Sequence, residues 1–379
     1  AGYRQQLHDQ IMGLIAAGTD AQLMDRPGGI FIRPADQISN EDRILFQTIA
    51  RAILSDRRGT LAIQLKQRGP LDKRPPRFRP TRARHADRQP PTRPRDALLF
   101  DNGLGGFTPD GREYVITTAP GQTAPAPWSN VLANPHFGTV ISENGAAYTW
   151  SENAHEFRLT PWHNDPVTDA SGEAFYLRDE DSGHVWSPTP LPVTGDTPYV
   201  TRHGFGYSVF THTEDGIRSE LWVYVAVDAP LKFSVLKLRN LSDQPRRLSA
   251  TGYLEWVLGD LRPKSALHLI TEIDPASGAL FARNPYNTEF ADRIAFFDVD
   301  DPHRTVSGDR SEFIGRNGTM RNPAALTRAR LSGRVGAALD ACAAIQVSIE
   351  LPAGQEQDII FRLGVAGRRG ADDASTQVH

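Results

Sequence analysis

Short runs of apolar or alternating residues recur through most of this chain, and turn-forming residues separate them. They continue from Asp96 almost to the C-terminus, and they include EYVITT, SELWVYVAV, LKFSVLKLRNL, ACAAIQVSIEL and QDIIFRLGV. Side chains alternate between the two faces of a strand, so a period of two indicates a strand with one buried face. Strands at this spacing, with Gly, Pro, Asn and Asp between them, predict a large antiparallel β-sandwich over residues 96–365.

The residues before the sandwich follow a different pattern. Apolar residues at helical spacing predict a helical segment over residues 1–65, with helices in Gln5–Ala16, in the run RILFQTIARAIL and in Leu61–Gln67. Ser39 and Asp42 form a capping-box variant that predicts the start of the second helix. The run IFIR (Ile30–Arg33) predicts a short strand between the first two helices.

Residues 66–95 are rich in Arg and Pro and contain almost no apolar side chains. Proline removes backbone donors and like charges repel, so this stretch predicts a linker; the alternative is an arm that binds nucleic acid or acidic lipid. Residues 366–379 lose the strand pattern, and we expect them to begin a connection to a further element.

Composition excludes several classes of protein. The net charge of the 379 residues is −3, which gives no general attraction to nucleic acid. A single cysteine, Cys342, excludes an intrachain disulfide and fits a reducing compartment such as the cytoplasm. No run approaches the roughly 20 apolar residues of a membrane helix, so we expect no direct membrane insertion.

All six tryptophans lie between Trp128 and Trp256, among turns rich in His, Asn and Asp. Aromatic faces that stack on sugar rings, with short polar side chains for the hydroxyls, are typical of carbohydrate sites. Trp150, Trp162 and Trp186 lie beside polar turn residues and are candidate stacking platforms, with core packing as the alternative. Trp222 and Trp256 lie inside apolar strands and are predicted to be core.

Carboxylates crowd the same region, at Asp165, Asp169, Glu173, Asp179, Glu180 and Asp181. A glycosidase needs two carboxylates around the scissile bond, one with a raised pKa, but the run Asp179–Asp181 beside Ser-Gly predicts a solvated loop. His163 and Asp165 have no second His or Cys at metal-ligand spacing. They therefore predict a hydrogen-bonded turn, and we expect neither a metal nor a catalytic residue.

Six longer motifs in fixed order resemble one family. They are DNGLGGFTPDGREYVI (101–116), PWSNVLANPHFGTVISENGAAYTW (127–150), RLTPWHNDPV (158–167), EAFYLRDEDSGHVWSPTP (173–190), YVTRHGFGYSVF (199–210) and NPYNTEF (284–290). Together they resemble the N-terminal β-sandwich of glycoside hydrolase family 94, formerly glycosyltransferase family 36. Its members include cellobiose, chitobiose and 1,2-β-oligoglucan phosphorylases and the C-terminal part of cyclic β-1,2-glucan synthases. The stretch 25–54 resembles the region before the phosphorylase-like module of those synthases.

The resemblance implies a galactose-mutarotase-like super-sandwich. In the family, a linker helix and an (α/α)6 barrel follow the sandwich, and the barrel carries the general-acid aspartate. This sequence ends at His379, where that linker would begin, and none of its residues matches the general acid. The resemblance therefore implies a truncated, non-catalytic portion that binds carbohydrate or supports the cleft of a β-glucan-processing enzyme.

For the intact enzyme, the resemblance implies inverting phosphorolysis of a β-glucan to α-glucose 1-phosphate, with inorganic phosphate as co-substrate and no other cofactor. The implied partners are a β-glucan oligosaccharide, the barrel and a second copy in a homodimer. A synthase parent would place this part at the cytoplasmic face of the inner membrane.

The candidate substrate-binding residues come from two sources. The family resemblance points to the motif TRHGFGY, with Arg202, His203, Tyr199 and Tyr207, where the planar guanidinium suits an oxyanion or paired hydroxyls. The aromatic and polar pattern adds Trp150, Trp162 and Asp165. Three alternatives remain open: a free-standing carbohydrate-binding module, a self-sufficient sugar enzyme that uses the carboxylates of 165–181, and a purely structural domain.

Overall fold

In the computed structural model, the described residues are 2–19, 21–50, 52–66 and 98–367. They fall into two compact units, one within residues 1–78 and one within residues 79–379. The predicted linker (66–95) and closing segment (366–379) lie outside the described residues except for Lys66, Ala366 and Gly367.

The N-terminal unit is helical, as predicted. Its helices are α1 (Gly2–Ala16), α2 (Asn40–Ile49) and α3 (Leu61–Lys66). The Ser39 hydroxyl accepts the backbone N–H of Asp42 at 3.0 Å, which confirms the predicted cap of α2. The predicted strand Ile30–Arg33 is wrong, because only an isolated bridge joins Met24 to Ile30. No side chain described between residues 6 and 65 is buried, so the apolar faces of these helices stay exposed.

The second unit confirms the predicted fold class, a mainly β protein with large antiparallel sheets after short helices. Its strands are β1 (Gly105–Phe107), β2 (Glu113–Thr118), β3 (Ser129–Asn134), β4 (Phe137–Ser142), β5 (Ala147–Ser151), β6 (Glu173–Asp179), β7 (Val185–Trp186), β8 (Tyr199–Gly204), β9 (Tyr207–Glu214), β10 (Ile217–Val225), β11 (Leu231–Asn240), β12 (Arg246–Glu255), β13 (Ile270–Ile273), β14 (Leu280–Arg283), β15 (Arg293–Val299), β16 (Thr305–Asp309), β17 (Ala341–Leu351) and β18 (Glu356–Gly367). Two short helices, α4 (Arg262–Ser265) and α5 (Arg310–Ile314), interrupt them.

The strands form three sheets. A ten-stranded sheet has the order β1-β2-β8-β9-β10-β11-β18-β15-β14-β13, and a five-stranded sheet has the order β16-β17-β12-β6-β7. A small sheet of β3, β4 and β5 completes the unit. None of the helices among the described residues combines the length and the apolar character needed to cross a membrane.

Strand alternation places the core between the sheets. On β10, Ile217, Leu221 and Val223 are buried, while Arg218 and Trp222 lie on the opposite, half-exposed face. The prediction of a core position is therefore wrong for Trp222, because the period of two turns its side chain outward. Trp256 is fully buried, as predicted.

A buried ion pair joins the ten-stranded sheet to the five-stranded sheet, and hydrogen bonds from it hold the small sheet. The Lys232 ammonium on β11 lies 2.6 Å from a Glu173 carboxylate oxygen on β6, and both side chains are almost completely buried. The ammonium also donates to the hydroxyls of Thr139 on β4 and Thr149 on β5, each at 3.2 Å. Since Thr149 and Thr160 donate to Glu173 in turn, one polar network fixes the inner face of the small sheet.

Candidate functional site

The outward face of the small sheet carries a series of aromatic rings. Tyr148 and Trp150 are alternate residues of β5, so both side chains leave the same face. The Tyr148 ring centre lies 5.3 Å from that of Trp150 and 4.8 Å from that of Trp162, which enters from the following loop. Trp162 is 43% exposed. The three rings therefore form a continuous and accessible aromatic surface.

Gly138 explains how Trp150 lies flat on the sheet. This residue is the β4 partner of Trp150. A Cβ at position 138 would lie 2.3 Å from the indole ring, so any side chain there would displace it. The close approach of the indole to the strand therefore requires glycine.

A cleft of about 270 Å³ lies beside Trp162. Its lining combines apolar residues of the small sheet with polar residues of the 161–170 loop, including Val140, Ser142, Ala147, Trp162, His163, Asn164, Asp165 and Asp169. This volume is slightly below the range of about 300–1,000 Å³ that is usual for small-molecule sites, and it suits a single small polar ring.

Asp169 is a carboxylate of this cleft that two neighbouring side chains hold in place. The Ser142 hydroxyl donates to Asp169 Oδ2 at 2.5 Å, and the Asn144 amide donates to the same oxygen at 3.2 Å. Burial raises the pKa of Asp169 above its usual value, although both hydrogen bonds oppose this shift. Asp169 is therefore a fixed acceptor in the cleft, and burial is the main cause of its raised pKa.

Glu143 lies directly behind the cleft. Its carboxylate accepts the Trp128 backbone N–H at 2.7 Å and the Asn144 amide at 3.1 Å. Burial raises the pKa of Glu143 to about 7, and the charge of Asp169 contributes to the increase. Because Glu143 is 1% exposed and held by these donors, it cannot reach a ligand in the cleft.

The structure brings three of the predicted residues together, namely Trp150, Trp162 and Asp165. Asp165 accepts the backbone N–H groups of Val167 and Thr168 at 3.0 and 3.1 Å, which forms the predicted hydrogen-bonded turn. These hydrogen bonds, with that of the Thr168 hydroxyl first, lower the pKa of Asp165. Trp186 is fully buried, so the prediction that it could form a stacking platform is wrong.

The other four predicted residues lie on β8 and β9 of the ten-stranded sheet. The Arg202 guanidinium lies 3.8 Å from the Glu113 carboxylate and 5.9 Å from the centre of the Trp222 ring. The Tyr207 hydroxyl donates to Glu113 at 2.7 Å. This half-exposed group faces outward from the large sheet, and its role in substrate binding stays a prediction.

His203 and Tyr199 point into the protein. His203 Nε2 lies 3.0 Å from the Trp128 carbonyl, and its Nδ1 lies 2.9 Å from the Ser208 hydroxyl. Burial lowers the pKa of His203, so its neutral form is favoured. The buried Tyr199 hydroxyl donates to the Ser187 carbonyl and accepts the Gly195 N–H. Both side chains support the interior, and whether they also affect substrate binding is untested.

The carboxylates of 165–181 mostly have structural partners. Asp179 is buried and pairs with Arg246, so the prediction of a solvated loop is wrong for this residue. Arg247 pairs with Asp181 at the surface, while Glu180 accepts the Ser249 hydroxyl at 2.7 Å.

Sequence analysis did not identify Tyr148, Asn144 or Glu143 as parts of the site. The alternation of Tyr148 with Trp150 was a usable signal, because residues two apart on a strand share a face. The motif Ser142-Glu-Asn-Gly145 indicates a turn but not a buried one, and burial is the main cause of the raised pKa of Glu143.

Comparison with known proteins adds a family match. The family model described as "Glycosyl hydrolase 94, supersandwich domain" matches residues 112–377. The chain is 41% identical over 271 residues to the cyclic beta-(1,2)-glucan synthase NdvB of Rhizobium meliloti (strain 1021), which covers 71% of this chain and 10% of that protein. It is 31% identical over 277 residues to the N,N'-diacetylchitobiose phosphorylase of Vibrio furnissii, covering 70% of this chain and 34% of that protein. The chain thus spans between a tenth and a third of the length of these relatives.

Two solved structures with detectable similarity are distant in sequence. A putative kojibiose phosphorylase from the human microbiome is 9% identical with a TM-score of 0.38, covering 73% of this chain and 35% of that one. A putative aldose 1-epimerase from Escherichia coli K12 is 10% identical with a TM-score of 0.36, covering 63% of this chain and 99% of that one.

Proposed function

Since this chain belongs to glycosyl hydrolase family 94 through its supersandwich domain, we propose that it is a non-catalytic, carbohydrate-binding part of a β-glucan-processing enzyme. We place its sugar contact at the aromatic surface of Trp162, Tyr148 and Trp150 and at the adjoining cleft. The ligand class is a β-linked gluco-oligosaccharide.

The aromatic series beside a polar cleft is the observation that carries this proposal. The three adjacent rings offer stacking faces to successive sugar units, while Asp165 and Asp169 offer carboxylate oxygens to the sugar hydroxyl groups. The aromatic surface is held rigidly, because the Trp150 ring packs directly against Gly138 and the Lys232 network fixes the inner face of the same sheet. A preorganised surface of this kind loses little entropy when a ligand binds.

The partners of the acidic residues support a non-catalytic role. A glycosidase needs two carboxyl groups that both reach the glycosidic bond. Glu143 has the raised pKa expected of a general acid, but it is buried behind the cleft. Glu173 forms an ion pair with Lys232, and Asp179 forms one with Arg246.

For the whole enzyme we propose inverting phosphorolysis or the related synthase chemistry, with inorganic phosphate as co-substrate and the acid residue on an (α/α)6 barrel. In that setting the sandwich would shape the substrate cleft and contribute to a homodimer at the cytoplasmic face of the membrane. The relatives' printed activities, glucan synthesis and chitobiose phosphorolysis, motivate this part of the proposal.

Calorimetric titration of the chain with linear β-1,2-gluco-oligosaccharides tests the binding site. We expect Trp162→Ala to weaken binding about fivefold, since stacking of this kind contributes on the order of 1 kcal/mol. Tyr286→Ala is the matched control, because Tyr286 is an exposed aromatic residue outside the cleft lining. If Arg202→Ala lost binding while Trp162→Ala kept its affinity, the sugar would instead bind at the outer face of the large sheet.

Phosphorolysis tests the non-catalytic assignment separately. The purified chain is incubated with the same oligosaccharides in phosphate buffer, and glucose 1-phosphate is measured beside an active full-length relative. We expect no release from the chain. Release that persists through repurification and disappears in a cleft variant would contradict a non-catalytic role.

A further inference from the structure

Two hairpins from different sheets place three metal-ligating side chains together. His184 lies in the turn between β6 and β7, Glu214 is the last residue of β9, and Asp215 begins the turn into β10. One ligand atom from each lies within 4.8 Å of the other two. Among the residues that the structure describes, this is the one group of three or more such side chains with that spacing.

We propose that His184, Glu214 and Asp215 form a binding site for a divalent transition metal of the zinc type. Imidazole combined with carboxylates is a ligand set that zinc accepts, and water can take a fourth position. Ligand atoms about 2.0–2.2 Å from a tetrahedral zinc ion lie roughly 3.4 Å from one another. To bind the ion, the widest of these separations must contract and the 2.7 Å contact between His184 Nδ1 and Asp215 Oδ2 must lengthen.

The backbone of the β9–β10 turn places Asp215 next to His184. Asp215 and Gly216 both have positive φ angles, 49° and 77°, as in the tight Asp-Gly turns of hairpins. This turn holds the Asp215 side chain close to the β6–β7 turn, where its Oδ2 lies 2.7 Å from His184 Nδ1. Two such atoms at this distance share one proton, and a metal ion could replace that proton.

The charges around the group favour a cation. Asp196 adds a third carboxylate near His184, beside Glu214 and Asp215. The neighbouring Arg246 donates to the Asp215 backbone carbonyl, but its guanidinium also pairs with the buried Asp179. The negative charge of the group is therefore only partly neutralised.

His212 supplies an independent indication. Its side chain is fully buried, and Nδ1 faces two acceptors, the Pro198 carbonyl at 3.2 Å and the Thr197 hydroxyl at 3.3 Å. In the neutral ring the proton therefore belongs on Nδ1, and Nε2 presents a lone pair. Nε2 lies 3.2 Å from Glu214 Oε2, yet it makes no hydrogen bond to any described residue.

This arrangement directs a buried ring nitrogen that has no hydrogen-bond partner among the described residues at the Glu214 carboxylate. Gly195 closes the other side of the contact, because a Cβ there would lie 2.4 Å from Glu214 Oε2 and 2.5 Å from His212 Nε2. The metal would therefore bind Glu214 on the side that faces His184 and Asp215.

Titration of the full chain with Co²⁺ and Zn²⁺ tests the site. We expect one ion per chain with a micromolar or lower Kd, a visible Co²⁺ absorption band typical of a nitrogen-oxygen site, and release of a proton on binding. His184→Ala and Asp215→Asn should each weaken binding at least tenfold. Asn tolerates the left-handed conformation of residue 215, so the Asp215→Asn variant keeps its turn.

His155→Ala is the matched control. His155 also lies 2.7 Å from a carboxylate, Glu156, but this exposed pair belongs to no group of three ligands among the described residues. The control should bind Zn²⁺ like the unaltered chain. Absence of binding in the unaltered chain, or equal binding in His184→Ala with an unchanged melting temperature, would overturn the proposal.

Discussion

The buried Lys232–Glu173 pair gives the sharpest test of how the small sheet is held. Lys232→Met removes the ammonium and keeps most of the apolar stem, so Glu173 stays buried with its charge unpaired. Loss of one partner from a buried ion pair costs about 3–5 kcal/mol of unfolding free energy. For a domain of this size, that corresponds to a decrease in melting temperature of roughly 6–10 °C.

A control on the same strand separates burial from pairing. Lys237 on β11 lies 3.6 Å from Asp358, and both side chains are about half exposed, at 50% and 51%. Exposed pairs contribute about 0–1 kcal/mol, so Lys237→Met should change the melting temperature by no more than about 2 °C. Urea unfolding of both variants, followed by circular dichroism, gives the two free energies.

The pH dependence of the unfolding free energy tests whether the buried charge of Glu173 causes this destabilisation. Burial raises the pKa of Glu173, but the Lys232 charge and the hydroxyl hydrogen bonds outweigh burial and hold it below the usual value. Its stabilising contribution is therefore present above the unfolded pKa of about 4.3 and is lost as the pH falls through the folded pKa. In Lys232→Met the pKa should rise, so the free-energy deficit should shrink on acidification.

A second substitution tests whether the lost stability can be recovered. Lys232→Met combined with Glu173→Gln removes the unpaired charge but leaves an acceptor for the Thr149 and Thr160 hydroxyls. We expect it to recover at least half of the lost free energy. If Lys232→Met costs no more than Lys237→Met, or if the deficit does not change with pH, the pair does not fix the sheet by burial of charge.

Three further predictions concern the site. The pKa of Glu143 is raised to about 7, so its stabilising contribution is present below the unfolded pKa of about 4.3 and is lost as the pH rises through 7. Glu143→Gln does not lose this contribution. Its free energy of unfolding, measured with urea, should therefore gain up to about 1.4 kcal/mol per pH unit on the unaltered chain between pH 5 and 7. Gly138→Ala should displace Trp150 and weaken oligosaccharide binding in calorimetry, and unaltered affinity would show that Trp150 makes no contact. Ser39→Ala should reduce helical ellipticity and cost about 1 kcal/mol in α2 while leaving sugar affinity unchanged.

Local sequence determined the elements of this protein. Apolar alternation defined the strands of the sandwich, and Ser39 with Asp42 defined the start of α2, because side-chain periodicity and helix capping are short-range effects. The family motifs were also readable, since they are contiguous stretches. The cluster of Trp162 with Trp150 was only partly foreseen, and its middle ring, Tyr148, was missed.

Tertiary structure decided which side chains are exposed and which groups meet. Trp186 lies beside polar turn residues and Trp222 inside an apolar strand, yet the first is fully buried and the second lies on an outer face. Glu143 acquires its raised pKa from burial, and His184 meets Asp215 across 31 residues of sequence. Burial and contact between distant strands depend on how whole sheets pack, and local residue patterns do not contain that information.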